Sequence, residues 1–227
     1  MVQPNKFQAV IFDIDGTIID TERIQSESYL KVLSEHGITE TELTTHGTVH
    51  IPGEETANTW YRLKIRHGIE TEVSELAERK RQATIGALNE TMDPMPGFLA
   101  LVEDLRTNNI KIGLASSAKR ERIELIVKGM GLDGLLDITV SADDVESTKP
   151  APDPYLLAAN LLKVAPEGCV VIEDAEVGIE SGVAAGMKTV AVPNTYTKLM
   201  DFSKSDLQVE SLSDLSYDTL LALVEQE

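Results

Sequence analysis

Four acidic residues, two serines and a lysine stand in this sequence at places where a strand pattern gives way to a loop. The stretch VIFDIDGTIID (residues 10–20) ends an apolar run in Asp13 and Asp15, followed at once by Gly16 and Thr17. Ser116 and Ser117 follow IKIGLA (110–115), Lys149 lies in STKPAPDPY (147–155), and Glu173 and Asp174 close CVVIED (169–174). Side chains alternate along an extended chain, so Asp13 and Asp15 point to the same side. Two crowded carboxylates repel each other and need a compensating charge. Taken alone, D-x-D-G serves equally well as a solvated strand exit with Gly16 as the turn residue. Its company points elsewhere. Asp13, Asp174 and the backbone carbonyl of Asp15 are hard oxygen donors of the kind that suits Mg²⁺. Ser116, with the backbone N–H groups of Ser117 and Ala118 opening the next helix, makes an anion cradle. Lys149 adds a fixed positive charge for a phosphate and for the Asp13 carboxylate; in isolation it reads as a surface lysine ahead of a helix-starting proline.

The elements that position these residues are legible as short apolar runs. FQAVIF (7–12) is nearly continuous in β-formers, the pattern of a strand buried on both faces. IKIGLA, ITVS (138–141), CVVI (169–172) and KTVAV (188–192) repeat it, with amphipathic segments near 98–108, 120–129, 153–163 and 176–185. Five strands in β-α alternation predict an α/β fold, a doubly wound parallel five-stranded Rossmann-like sheet. In such sheets ligands sit beyond the carboxyl ends of the strands, which brings the acids, serines and lysine to one edge. About ninety-five residues separate the first strand from the second, far more than a crossover needs. The segment from about 21 to 91 is helical in pattern and reads as an inserted α-helical domain. Asp20-Thr21 and MDPMPG (92–97) mark its ends, so the expected domains are 1–20 with 93–227, and 21–92. Two adjacent crossings of this kind are the layout of a hinge. The C-terminal SLSDLSYDTLLALVEQE reads as a closing helix with Ser213 or Asp214 near its N-cap.

Composition excludes several function classes. The chain has 227 residues, 42% of them apolar, and a formal net charge of −18. That charge repels nucleic acid and anionic membranes, so neither is an expected partner. It also opposes an anionic substrate at long range, which is why a local cation is required. No apolar stretch reaches the roughly 18 residues that span a bilayer, and MVQPNKFQ shows no signal-peptide pattern, so a cytoplasmic protein is expected. The single cysteine, Cys169, sits in the apolar setting GCVVI and reads as a buried, inert thiol. His36, His46, His50 and His67 lack zinc-site spacing and read as surface or loop residues. A monomer is expected.

DIDGT, LASS, KPAPD and IEDAEVGIESG, in this order and spacing, resemble the four motifs of the haloacid-dehalogenase-like phosphohydrolases, in particular the β-phosphoglucomutase-like branch with a helical cap inserted after the first motif. The resemblance covers nearly the whole chain. It implies that Asp13 is a nucleophile forming an aspartyl-phosphate and that Asp15 is the general acid/base. It further implies that Asp13, Asp15 through its carbonyl, and Asp174 hold Mg²⁺, with Glu173 supporting or joining them. Ser116 and Lys149 would bind the transferring phosphoryl group. Dehalogenases of the superfamily lack an acid at the position of Asp15, because halide leaves without a proton, so D-x-D implies phosphoryl transfer to and from a small phosphate ester.

Three residues of the insert are candidates for substrate contact. Gly47 lies in HGTVHIPGEET (46–56), whose flexible backbone could face the site or simply join two helices. ERKRQ (78–82) resembles the family's cap helix that carries a substrate-contacting lysine, here Lys80; without the resemblance, a basic cluster on a helix reads as a solvated face. Sugar-phosphate mutases of this branch carry a histidine about ten residues after the second aspartate, where this chain has Gln25. That departure favours a phosphatase acting on a phosphorylated metabolite such as a sugar phosphate over a phosphomutase. A non-catalytic phosphometabolite sensor is the more remote alternative, since every catalytic position is filled.

Overall fold

A computed structural model describes residues 7–39, 56–90 and 92–225. The chain divides into two compact units, Met1–Asp20 with Asp93–Glu227, and Thr21–Met92. In the first unit β1 (Ala9–Phe12), β2 (Lys111–Ala115), β3 (Ile138–Val140), β4 (Cys169–Glu173), β5 (Lys188–Ala191) and β6 (Leu207–Gln208) form one sheet in the order β3-β2-β1-β4-β5-β6. Every pairing is parallel. Five strands were expected and six are present, because β6 is a two-residue edge strand too short to carry a pattern. All four residues of β1 are buried, as its unbroken apolar run requires.

Helices cover the sheet: α4 (Phe98–Thr107), α5 (Arg120–Gly129), α6 (Asp153–Leu162), α7 (Glu176–Ala184) and α8 (Tyr217–Glu225). Ser213 and Asp214 do not cap α8. They belong to a 3₁₀ turn closed by a capping box with Ser211, and α8 begins after Ser216, whose hydroxyl accepts from the Thr219 N–H at 3.2 Å. The order of strands reverses at β1, which pairs with β2 on one side and β4 on the other. Asp13 follows β1 and Glu173-Asp174 end β4, so the acids flank the switch point where ligands of such sheets bind. The chain's exit and re-entry lie side by side: Ile19 bridges Pro94, and the Met95 N–H donates to the Ile18 carbonyl at 2.8 Å.

The second unit is helical among its described residues, with α1 (Thr21–Ser34), α2 (Thr56–His67) and α3 (Val73–Glu90). Tyr29, Val32, Leu33, Trp60, Leu63, Ile69 and Leu76 form its core. Tyr29 and Trp60 pack with ring centroids 5.0 Å apart. Gly47, His46 and His50 lie outside the described residues. No helix among the described residues is long and apolar enough to cross a membrane.

Candidate active site

Lys149 is the centre of the acidic edge. Its ammonium donates to Asp13 Oδ1, to Glu173 Oε1 at 2.7 Å and to the Ala115 carbonyl at 2.9 Å, and it lies 4.9 Å from the centroid of the Tyr155 ring. The three charged side chains are almost wholly buried. Burial disfavours the ammonium, but the carboxylates of Asp13 and Glu173 outweigh it and hold the Lys149 pKa well above the usual lysine value. Tyr155, on the first turn of α6, donates its hydroxyl to Glu173 Oε1 at 2.7 Å. Glu173 Oε2 accepts the Asp174 and Ala175 N–H groups at 3.1 and 3.3 Å. Both Glu173 oxygens are thus engaged, and the residue anchors Lys149. The space is tight: a Cβ on Gly178 would stand 1.8 Å from Glu173 Oε1.

Asp174 is held from two sides. Asn194, three residues beyond β5, donates Nδ2 to Asp174 Oδ2 at 2.7 Å, and Thr17 Oγ1 donates to Oδ1 at 3.4 Å. Gly16 has φ 87°, and a Cβ there would meet Asp174 Oδ2 at 2.4 Å, so a side chain is excluded by backbone and space alike. Asp13, Glu173 and Asp174 each bring one carboxylate oxygen within 4.8 Å of the others. Burial, then the Glu173 charge, raise the Asp13 pKa to about 7 against the opposing pull of Lys149. Burial, Glu173 and Asp13 raise Asp174 to about 9. One lysine is therefore too little positive charge for this cluster. A hard dication among these oxygens would supply the remainder, so the donor set fits Mg²⁺.

Asp15 belongs to a second, half-buried cluster. Ser116 donates its hydroxyl to Asp15 Oδ2 at 3.2 Å, and Arg122 on α5 donates Nη2 to Oδ1. Ser116 Oγ also accepts the Ala118 N–H at 3.0 Å, so that N–H is bonded within the protein rather than turned to an anion. Ser117 is exposed, and α5 starts only at Arg120, so these N–H groups precede the helix rather than open it.

In the helical unit, Lys80 and Gln25 meet, with Nζ donating to Gln25 Oε1. Lys80 is buried at 7% exposure and lies 4.9 Å from the Tyr29 ring centroid, so it is not part of a solvated face. Cys169 is buried, and burial pushes its thiol up to about 12, as expected of an inert residue.

Arg122, Tyr155 and Asn194 were given no role in the sequence reading, and Thr17 was noted there only for its place after Asp15. Asn194 follows β5 and falls under the strand-end rule that found the others. Tyr155 closes the STKPAPDPY stretch six residues after Lys149. Arg122 carried no signal, because the face of α5 on which it lies is fixed by packing.

A sheet with reversed strand order, acids at both sides of the reversal and a lysine bridging them define an α/β protein with a charged site at the switch point and an inserted helical unit. The family model for haloacid dehalogenase-like hydrolases matches residues 10–192, and the chain belongs to that family. It is 31% identical over 185 residues to the phosphorylated carbohydrates phosphatase of Thermotoga maritima, covering 81% of this chain and 83% of that protein. It is 29% identical over 212 residues to the pyrophosphatase PpaX of Bacillus cereus, covering 92% and 95%. The crystal structure of β-phosphoglucomutase (pgmB) from Clostridium difficile superposes with a TM-score of 0.74 at 28% identity, over 97% of this chain and 98% of that one.

Proposed function

We propose that the protein is a Mg²⁺-dependent phosphatase that hydrolyses a small phosphorylated metabolite, a sugar phosphate or a close relative, through a phosphoryl group carried on Asp13. The observation that carries this reading is the Lys149 ammonium fixed between Asp13 and Glu173, beside a third carboxylate at the switch point of the sheet. The relative named for phosphorylated carbohydrates supports the substrate class, while another is named a pyrophosphatase.

Asp13, Asp174 and the Asp15 carbonyl would hold the ion. An ion held there would offset carboxylate repulsion and supply positive charge for the phosphoryl oxygens. An Asp13 oxygen attacks phosphorus in line, and the bond from phosphorus to the leaving oxygen breaks as Asp15 supplies a proton. Lys149, by turning one N–H away from Asp13, and Ser116, by turning its hydroxyl away from Asp15, would stabilise the negative oxygens of the transferring group. Asp15 then takes a proton from water, the resulting hydroxide attacks phosphorus, and Asp13 departs as a carboxylate with release of phosphate. Glu173 and Tyr155 keep Lys149 in place throughout.

The β-phosphoglucomutase likeness supports phosphomutase chemistry as the second reading. Gln25, at the position where mutases of this branch carry a histidine, favours hydrolysis. Release of phosphate from p-nitrophenyl phosphate with Mg²⁺, abolished by chelation, is expected. A panel of sugar phosphates followed for both phosphate and isomerised product separates the readings: isomerised product exceeding free phosphate would replace phosphatase with mutase, and no turnover of any ester would leave a sensor.

A further inference from the structure

Among the described residues, two cations of the α/β unit touch its site carboxylates, and they differ in what they are free to do. Lys149 is 5% exposed and shared between two carboxylates. Arg122 is 27% exposed at its side chain, and among the described residues its one acidic partner is Asp15. Its neighbour Arg120 is spent on structure, donating to Thr139 Oγ1 at 2.6 Å, to the Thr139 carbonyl at 3.2 Å and to Asp144. Arg122 by contrast gives Nη2 to Asp15 Oδ1 and leaves Nε buried without a hydrogen-bond partner. A guanidinium binds an oxyanion best through two parallel N–H bonds, so the present pose uses part of its capacity and strands one donor.

Asp15 is correspondingly tied, with Oδ2 on Ser116 and Oδ1 on Arg122. In the proposed reaction one of these oxygens must carry a proton to the leaving oxygen, and although each keeps a further lone pair, the Arg122 guanidinium competes with that proton and with the leaving group for Oδ1. Drawing Arg122 away removes that competition. Resting on the phosphatase reading, we infer that Arg122 is a specificity-determining residue that binds a second oxyanion, a phosphate or carboxylate on the leaving group, and in doing so releases Asp15. A substrate with a second negative charge meets repulsion from Asp15 and from a chain of net charge −18; a guanidinium at the point of repulsion inverts the local field. Exchange of Arg122 from Asp15 to the substrate ties recognition of that charge to freeing the acid/base.

Matched esters test this directly. With Mg²⁺ present, kcat/KM is measured for 2-phosphoglycolate against ethylene glycol monophosphate, and for glucose 1,6-bisphosphate against glucose 1-phosphate, with p-nitrophenyl phosphate as a control. The wild type is expected to prefer the doubly anionic member of at least one pair. Arg122→Gln should lower that preference by about 10²-fold, and Arg122→Lys, which keeps the charge without the fork, should restore part of it. Turnover of p-nitrophenyl phosphate with no preference in either pair, or an equal fall for both members in Arg122→Gln, overturns the inference and leaves the phosphatase reading standing. Absence of phosphate release from every ester overturns that reading and this inference together.

Discussion

Each unit of the molecule buries a lysine over a tyrosine ring, at 4.9 Å from the ring centroid in both cases, and the two lysines are held in different ways. Lys149 is bonded to the carboxylates of Asp13 and Glu173. Lys80 donates to the Gln25 side chain, a neutral amide. Charge facing charge in a buried place is strongly coupled: either partner alone is costly to keep. A bond from an ammonium to an amide is a weaker coupling, and the amide remains content without it if water can reach it. The same residue type is thus part of a carboxylate network in one unit and a donor to an amide in the other.

The largest expected effect comes from taking away the reacting carboxylate while leaving the lysine network nearly intact. Asp13→Asn keeps an oxygen that can accept from Lys149 and keeps Glu173 opposite. Turnover should fall about 10⁴-fold or more, with the melting temperature in metal-free buffer at pH 8 equal to or above that of the wild type. Substantial residual hydrolysis in steady-state assays would remove Asp13 from the nucleophile's place. Lys149→Met should damage both properties. It leaves Asp13 and Glu173 buried without their shared cation, a change worth about 3–5 kcal/mol when a buried pair is broken, read by urea unfolding with divalent cation absent. Unaltered stability in that variant would mean that the lysine is not what balances the carboxylates.

Much of this was legible before any coordinates, for reasons that are specific to position. FQAVIF announces a doubly buried strand because its last four residues, AVIF, carry no polar side chain, and the strand ends then place Asp13, Ser116 and Asp174 on one edge. β6 has two residues and no pattern, and so was missed. Gln25 and Lys80 were singled out for separate reasons, yet their contact across 55 residues of sequence depends on how α1 and α3 pack. Arg122 shows the same limit more sharply: its pairing with Asp15 spans 107 residues and is set by the rotation of α5, which no periodicity reveals. The Ala118 N–H was assigned to an anion and is instead taken by Ser116, since a serine ahead of a turn competes for the nearest backbone donor.

A third expectation concerns the ion. With folded values of about 7 for Asp13 and about 9 for Asp174 against 3.8 for an ordinary aspartate, the metal-free folded protein binds more protons than the unfolded chain from about pH 4 upward. Stability must then fall as pH rises, by about 1.4 kcal/mol per pH unit for each proton of difference, with the Asp13 contribution complete near pH 7 and that of Asp174 near pH 9. Mg²⁺ replaces those protons. Its addition should raise the melting temperature more at pH 8 than at pH 5, and Asp174→Asn should flatten the pH dependence. An equal shift at both pH values would show that the ion binds somewhere other than among these carboxylates.

The smallest effect should belong to Lys80. Removal of its side chain leaves Gln25, an amide that water can satisfy, and the α/β unit keeps its own lysine network. Taking Lys80 as the substrate-contacting lysine that the family resemblance implies, Lys80→Ala should lower kcat/KM for the physiological ester by about tenfold, the scale of one charge-assisted hydrogen bond, while acetyl phosphate, which offers almost nothing beyond the phosphoryl group, is turned over at close to the wild-type rate. Lys149→Met should lower both substrates together. That divergence is what separates a lysine that serves the reacting group from one that serves the rest of the substrate. A fall of the same size for both compounds in Lys80→Ala would erase the difference between the two lysines and give Lys80 a part in phosphate binding or folding. A fall larger than that of Lys149→Met would reverse their order, because the neutral-amide contact would then be the more tightly coupled of the two.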